Sequence, residues 1–139
     1  MKKLLFPISI LAVFLFSGCQ SEEVVDITQH TWKVDKITTH NHIYTVKNKY
    51  YLKDDSYRLI FLDDSIFKLY TSINLAHGKY EIPANNTINM DLTAITEAGG
   101  GFDIDTVLTN WIGKITSYKN KNNKLIFEGK DCKMVLTKE

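Results

Sequence analysis

The chain has 139 residues, with 17 lysines and arginines against 16 aspartates and glutamates. That length suits one domain with a real buried core rather than two. A charge balance this close to zero excludes a nucleic-acid binder, which needs a basic surface to displace counterions.

The N-terminus comes first in chain order and is the most specific stretch. Lys2 and Lys3 form a positive region, residues 4–16 an apolar one, and small Ser17 and Gly18 precede Cys19. This pattern reads as a secretory signal, not a transmembrane anchor, because the apolar run falls short of the roughly 20 residues a bilayer core requires and contains Pro7. The stretch Leu15-Phe16-Ser17-Gly18-Cys19 resembles a bacterial lipobox. The resemblance implies a diacylglycerol on the Cys19 thiol, cleavage before Cys19, acylation of the new amino terminus and anchoring to an envelope membrane, with the outer membrane expected. Two or three acyl chains anchor stably where one does not. Loss of residues 1–18 leaves 121, removes Lys2 and Lys3, and brings the balance to 15 basic against 16 acidic residues, a net charge of −1. With Cys19 lipidated, Cys132 has no partner in the same chain, so stability must come from packing.

Residues 19–30 read as a lipidated cysteine and polar tether, and residues 31–139 as a single β-rich domain. Ser21-Glu22-Glu23 also resembles the acidic signal that sends lipoproteins of one Gram-negative group to the outer face of the outer membrane. Alternation over residues 31–38 puts Trp32 and Val34 on one face of a first strand. Residues 40–53 lack a clean period and read as a long excursion over the domain. Its Tyr44, Tyr50 and Tyr51 are candidate anchors for a partner, since buried aromatics dominate binding hot spots.

The clearest strands are 57–62 and 66–70, joined by Asp63-Asp64-Ser65, whose side chains favour a turn. Both faces of the first are apolar, which asks for a cover. Strands are expected at 77–82 and 87–93, with Pro83-Ala84-Asn85-Asn86 as the turn between. After Gly99-Gly100-Gly101, Asp103 or Asp105 stands where a helix cap is needed, and Val107, Leu108, Trp111, Ile112 and Ile115 recur at helical spacing. That helix is expected to dock on the back of the 57–62 strand or over an open barrel end. Trp111 would be deeply buried there, at about 3–5 kcal/mol. Strands at 116–120, 124–128 and 132–137 close the chain, and Cys132, Met134 and Leu136 share a face. The fold expected is a small antiparallel meander of about eight strands, barrel-like or strongly curved, with one packed helix, since closure removes exposed edges.

The segment Ser72-Ile73-Asn74-Leu75-Ala76-His77-Gly78-Lys79-Tyr80-Glu81-Ile82 resembles the centre of the META-domain family of small envelope lipoproteins, which carry an Asn, a Gly and an aromatic at this spacing. The order around it, an early Trp strand and a helix before closing strands, is also similar. The resemblance implies a fold and an envelope setting but no reaction. Asn74, Gly78 and Tyr80 read as structural, with Gly78 supplying either a positive φ or a close strand approach.

No catalytic constellation emerges. His40-Asn41-His42 puts two imidazoles on one side of an extended segment, but a metal needs further ligands that only His30 or His77 could add among the histidines. Asp54-Asp55 and Asp63-Asp64 point to opposite faces if extended. Asp103-Ile104-Asp105 lacks the remaining carboxylates of a calcium loop. Cys132 sits on an apolar face, unlike a nucleophile. Neither a cofactor nor a metal is expected. The sequence thus points to a non-enzymatic, lipid-anchored envelope protein, monomeric, that binds or scaffolds an envelope component. The alternative is a lipidated immunity protein or inhibitor that neutralises an incoming toxin or hydrolase.

Overall fold

The structure, a computed structural model, describes residues 26–62 and 65–139. The expected signal segment, Cys19, Ser21-Glu22-Glu23 and the Asp63-Asp64 pair lie outside these residues. The first strand, β1 (Thr31–Thr39), organises the sheet. Alternation buries Trp32 and Val34, and a register shift between Val34 and Lys36 then brings Ile37 to the same inner face. Trp32 is fully buried, and its indole N–H donates to the Ile27 carbonyl at 2.8 Å. That bond draws a short helical turn, Ile27–Gln29, into the core. Buried Ile27 extends the packed domain upstream of the boundary expected at residue 31.

One edge of β1 pairs along most of its length with the last strand, β9 (Cys132–Lys138). The other edge is shared, since β2 (Ile43–Thr45) pairs with Lys36–Thr38 and β3 (Arg58–Leu62) with Thr31–Lys33. From β3 the chain meanders through β4 (Ile66–Tyr70), β5 (Leu75–Glu81) and β6 (Asn89–Ile95). It crosses by α1 (Asp103–Ile112) to β7 (Ile115–Lys121), then runs through β8 (Lys124–Gly129) to β9. The resulting order is β6-β5-β4-β3-β1-β9-β8-β7, with every neighbour antiparallel. The two outermost strands meet only where Thr87 bridges Ser117, with the Ile88 N–H on the Thr116 carbonyl and the Tyr118 N–H on the Asn86 carbonyl. The sheet is therefore a curled half-barrel of nine strands with a single α-helix among the described residues. The expected meander and helix are present, and the additional strand is β2, inside the excursion that carries no readable period.

The core lies on the concave face. Leu59, Phe61, Phe67, Leu69, Leu125, Phe127, Met134 and Leu136 fill it from the sheet, as strict alternation requires. Cys132 is buried on that face beside Met134, and burial raises its thiol pKa. Gly78 is needed for close approach rather than a positive φ, because a Cβ there would meet the Asp91 carbonyl oxygen and the Phe67 ring at 2.0 and 2.8 Å. Asn74 ties the end of β6 to the β4–β5 turn, accepting from the Ala98 N–H at 2.8 Å. The Tyr80 hydroxyl donates to the Leu62 carbonyl at 3.0 Å.

The helix departs from expectation in two ways. Its buried residues are Ile104, Asp105, Leu108 and Ile112, which join the inner core, while Val107 and Trp111 are half-buried and Ile115 begins β7. The buried stripe thus keeps Leu108 and Ile112 but takes Ile104 and Asp105 in place of Val107 and Trp111, and α1 packs on the inner core and not on the back of β3. Trp111 is not the deep plug; the Lys114 ammonium lies 4.1 Å from its ring centroid. The N-cap is Phe102, not Asp103 or Asp105.

Candidate functional site

Two polar regions flank Phe102, one inside the domain and one outside. The inner one centres on Asp105 at the third helical position. Its carboxylate accepts from the Tyr57 hydroxyl (2.7 Å), the Ser72 N–H (3.2 Å), the Ser72 hydroxyl (2.5 Å) and the Phe102 N–H (2.8 Å). The last is the backward half of a capping box, in which the N3 carboxylate satisfies an N-terminal amide. Gly101 makes this possible, since a Cβ there would stand 2.6 Å from Asp105 Oδ2. Ser56 adds a further tie by donating to the Ser72 carbonyl at 3.3 Å while accepting from the Lys53 N–H at 3.1 Å. Three segments are thereby joined: the entry to β3, the β4–β5 turn and the start of α1.

Tyr57 is fully buried and holds a left-handed φ of 62°, a conformation a bulky residue adopts only when its surroundings impose it. The Val34 N–H, bonded to the Tyr57 carbonyl at 2.8 Å, and the Asp105 carboxylate fix it from both ends. This is why β3 begins at Arg58 and not at Tyr57. Burial and then the bond to Asp105 push the Tyr57 phenol far above its ordinary range, so it stays a neutral donor. Every buried side-chain polar atom among the described residues has a partner. The inner region is a structural latch, with no free group offered to a substrate.

The outer region is a cleft of about 450 Å³ between the excursion and the start of α1. One wall is built from His42, Ile43, Tyr44, Thr45, Lys47, Lys49 and Tyr50; the other from Gly101, Phe102, Asp103 and Ile104. Of the expected anchors, Tyr44 and Tyr50 line this cleft. The Tyr50 ring packs tilted against Phe102, and the Tyr44 ring meets His42 edge-on, both with centroids 4.5 Å apart. Tyr51 points elsewhere, edge-on to Tyr57 at 5.7 Å and beneath the Lys33 ammonium at 4.4 Å. All three tyrosines pack the excursion against the core, and Tyr44 and Tyr50 also line the cleft.

Lys47, Lys49, Thr45, Phe102 and Asp103 were not legible as cleft residues. The available signal was the Lys47-x-Lys49 spacing beside aromatics, which acquires meaning only once α1 is seen opposite. His40 and His42 are exposed, and among the described residues no group of three or more His, Cys, Asp or Glu is placed to hold a metal ion. Among the described residues no helix is long and apolar enough to cross a membrane.

The geometry defines a class of fold, the curled antiparallel half-barrel with one crossover helix, and known structures share it. The chain is similar to the crystal structure of a DUF4847 family protein from Bacteroides vulgatus, with a TM-score of 0.57 and 12% identity over 79% of this chain and 92% of that one. It is also similar to an NMR structure of a protein from Burkholderia xenovorans, with a TM-score of 0.58 and 9% identity over 79% and 81% of the two chains. No protein-family model and no curated protein matches the chain. At these identities the likeness extends to the fold alone.

Proposed function

We propose that the chain is a lipid-anchored envelope protein whose half-barrel domain binds a protein partner through the cleft beside β2, without catalysis of its own. The observation that carries this reading is the N-terminal order of Lys2 and Lys3, the apolar run and Ser17-Gly18-Cys19. The META-like segment of residues 72–82 belongs to the same envelope reading. Support for binding comes from the cleft, where Tyr44, Tyr50 and Phe102 are half-buried beside polar groups, the composition of a recognition surface. The latch supports the non-enzymatic part, because its carboxylate, hydroxyls and phenol are committed to one another. The tyrosine-lined cleft suits an incoming toxin or hydrolase as well as a resident envelope protein, and an adjacent secreted-toxin gene would favour the former.

Metabolic labelling with an alkyne fatty acid tests the anchor. Label on the wild type and none on Cys19→Ala is the expected result; label that persists in the variant overturns it. Protease treatment of intact cells then tests the export reading of Ser21, Glu22 and Glu23, which full protection of the domain would remove.

A further inference from the structure

Beside the cleft, β2 has one edge paired with β1 and one edge left free of any strand among the described residues. The Thr39 N–H donates to the His42 carbonyl and the Val46 N–H to the Asp35 carbonyl, both at 2.8 Å, and Ile37 stands opposite Tyr44. In an antiparallel ladder successive residues point their N–H and C=O groups to opposite edges. His42, Tyr44 and Val46 therefore face β1, while Ile43 and Thr45 direct theirs away from it. No strand among the described residues pairs with that edge. Ile43 itself is 60% exposed at the same place. Lys47 and Lys49 stand on this wall, whereas Asp103 is the one carboxylate of the lining and lies on the opposite wall.

We infer that the free edge of β2 is a strand-addition site for an extended acidic peptide of another protein. This deepens the partner-binding reading above and rests on it. Unpaired main-chain groups give affinity without regard to side chains, and flanking pockets and charges select the sequence. A strand laid along Ile43 and Thr45 runs through the cleft between β2 and the start of α1, with carboxylates toward Lys47 and Lys49. A second copy of this chain is a poor occupant, because its β2 segment, residues 42–49, carries no carboxylate to meet Lys47 and Lys49. A basic or neutral strand gains nothing from the lysines.

The test uses the full chain in detergent micelles and amide NMR with two acetylated, amidated hexapeptides, one alternating glutamate with valine and one alternating lysine with valine. The glutamate peptide should shift the Ile43 and Thr45 amides and slow their exchange, while the lysine peptide should not. Thr45→Pro removes an outward amide without touching the β1 ladder and should abolish the effect. If that variant disturbs the sheet, the double charge reversal Lys47→Glu with Lys49→Glu decides instead, and should weaken the glutamate peptide by about tenfold. Shifts elsewhere, equal response to both peptides, or none at millimolar peptide overturn the inference. Failure here leaves fatty-acid labelling of Cys19 untouched, and loss of labelling leaves these shifts untouched, so the two readings fail separately.

Discussion

Asp103 and Asp105 stand two residues apart on the first turn of α1, yet one lines an open cleft and the other is buried with four donors aimed at it. Residues at that spacing on a helix project to nearly opposite sides, so a single turn serves two environments. The comparison separates polar groups that hold the fold from polar groups left at the surface, where the proposed partner would meet them. At the latch, removing Asp105 would orphan donors that have no access to water. At the cleft, Lys47, Lys49, Asp103 and the β2 residues Ile43 and Thr45 are exposed, as the proposed exchange of water for a partner requires.

The largest expected effect separates these two carboxylates. Asp105→Ala leaves the Tyr57 hydroxyl and Ser72 amide buried without an acceptor and should destabilise the domain by about 3 kcal/mol or more, whereas Asp103→Ala should stay within about 0.5 kcal/mol. Chemical denaturation of the two variants measures this, and equal losses would dissolve the distinction between latch and cleft. Next in size is the helix face. Leu108→Ala opens a cavity in the core at about 3 kcal/mol, while Trp111→Ala should cost about 1 kcal/mol, mostly lost packing and cation–π contact. The reverse ranking in thermal melts would restore Trp111 as the plug.

Smaller effects come with pH. The Arg58 guanidinium holds Glu139 in two hydrogen bonds of 2.5 and 2.9 Å and lowers its pKa from the ordinary 4.5. Its stabilisation is present above that value and is lost as pH falls through the lower folded pKa. Because the pair is partly exposed, it contributes less than about 1 kcal/mol. At the alkaline end, the Cys132 thiol is raised from 9.0 and the Tyr57 phenol from 10.0, each first by burial. Stability is therefore full below about pH 9 and declines as pH rises toward the folded values. Melts of wild type, Glu139→Gln and Cys132→Ala across pH separate the two ends; an acid decline unchanged in Glu139→Gln would remove that pair as its source.

Much of the fold was legible because the signal is local. Alternation in Leu59-Ile60-Phe61 or Cys132-Lys133-Met134 places side chains on two faces wherever a strand lies. The three-residue β2 was not legible, since three residues cannot establish a period and its strand form comes from pairing with β1. Nor was the placement of β1 between β3 and β9, which depends on contacts about a hundred residues apart in the chain, such as Val34 with Leu136. The apolar spacing located the helix but not its rotation. Asp105 is a polar residue on the buried side, and only the positions of Tyr57 and Ser72 make that burial favourable. At the site, the tyrosines of the excursion stood out by type, but which of them faces outward is decided by Phe102 on a distant element.

Residue-resolved amide exchange of the unliganded chain tests most directly whether the outer side is open for a partner. Tyr44 and Val46, whose N–H groups face β1, should be protected, while Ile43 and Thr45, which alternate with them, should exchange at rates near those of exposed loops. Such an alternating pattern over four residues is what a strand with one free edge produces. Protection of Ile43 and Thr45 equal to that of Val46 would mean that the edge is already occupied, and would contradict the cleft as a binding site.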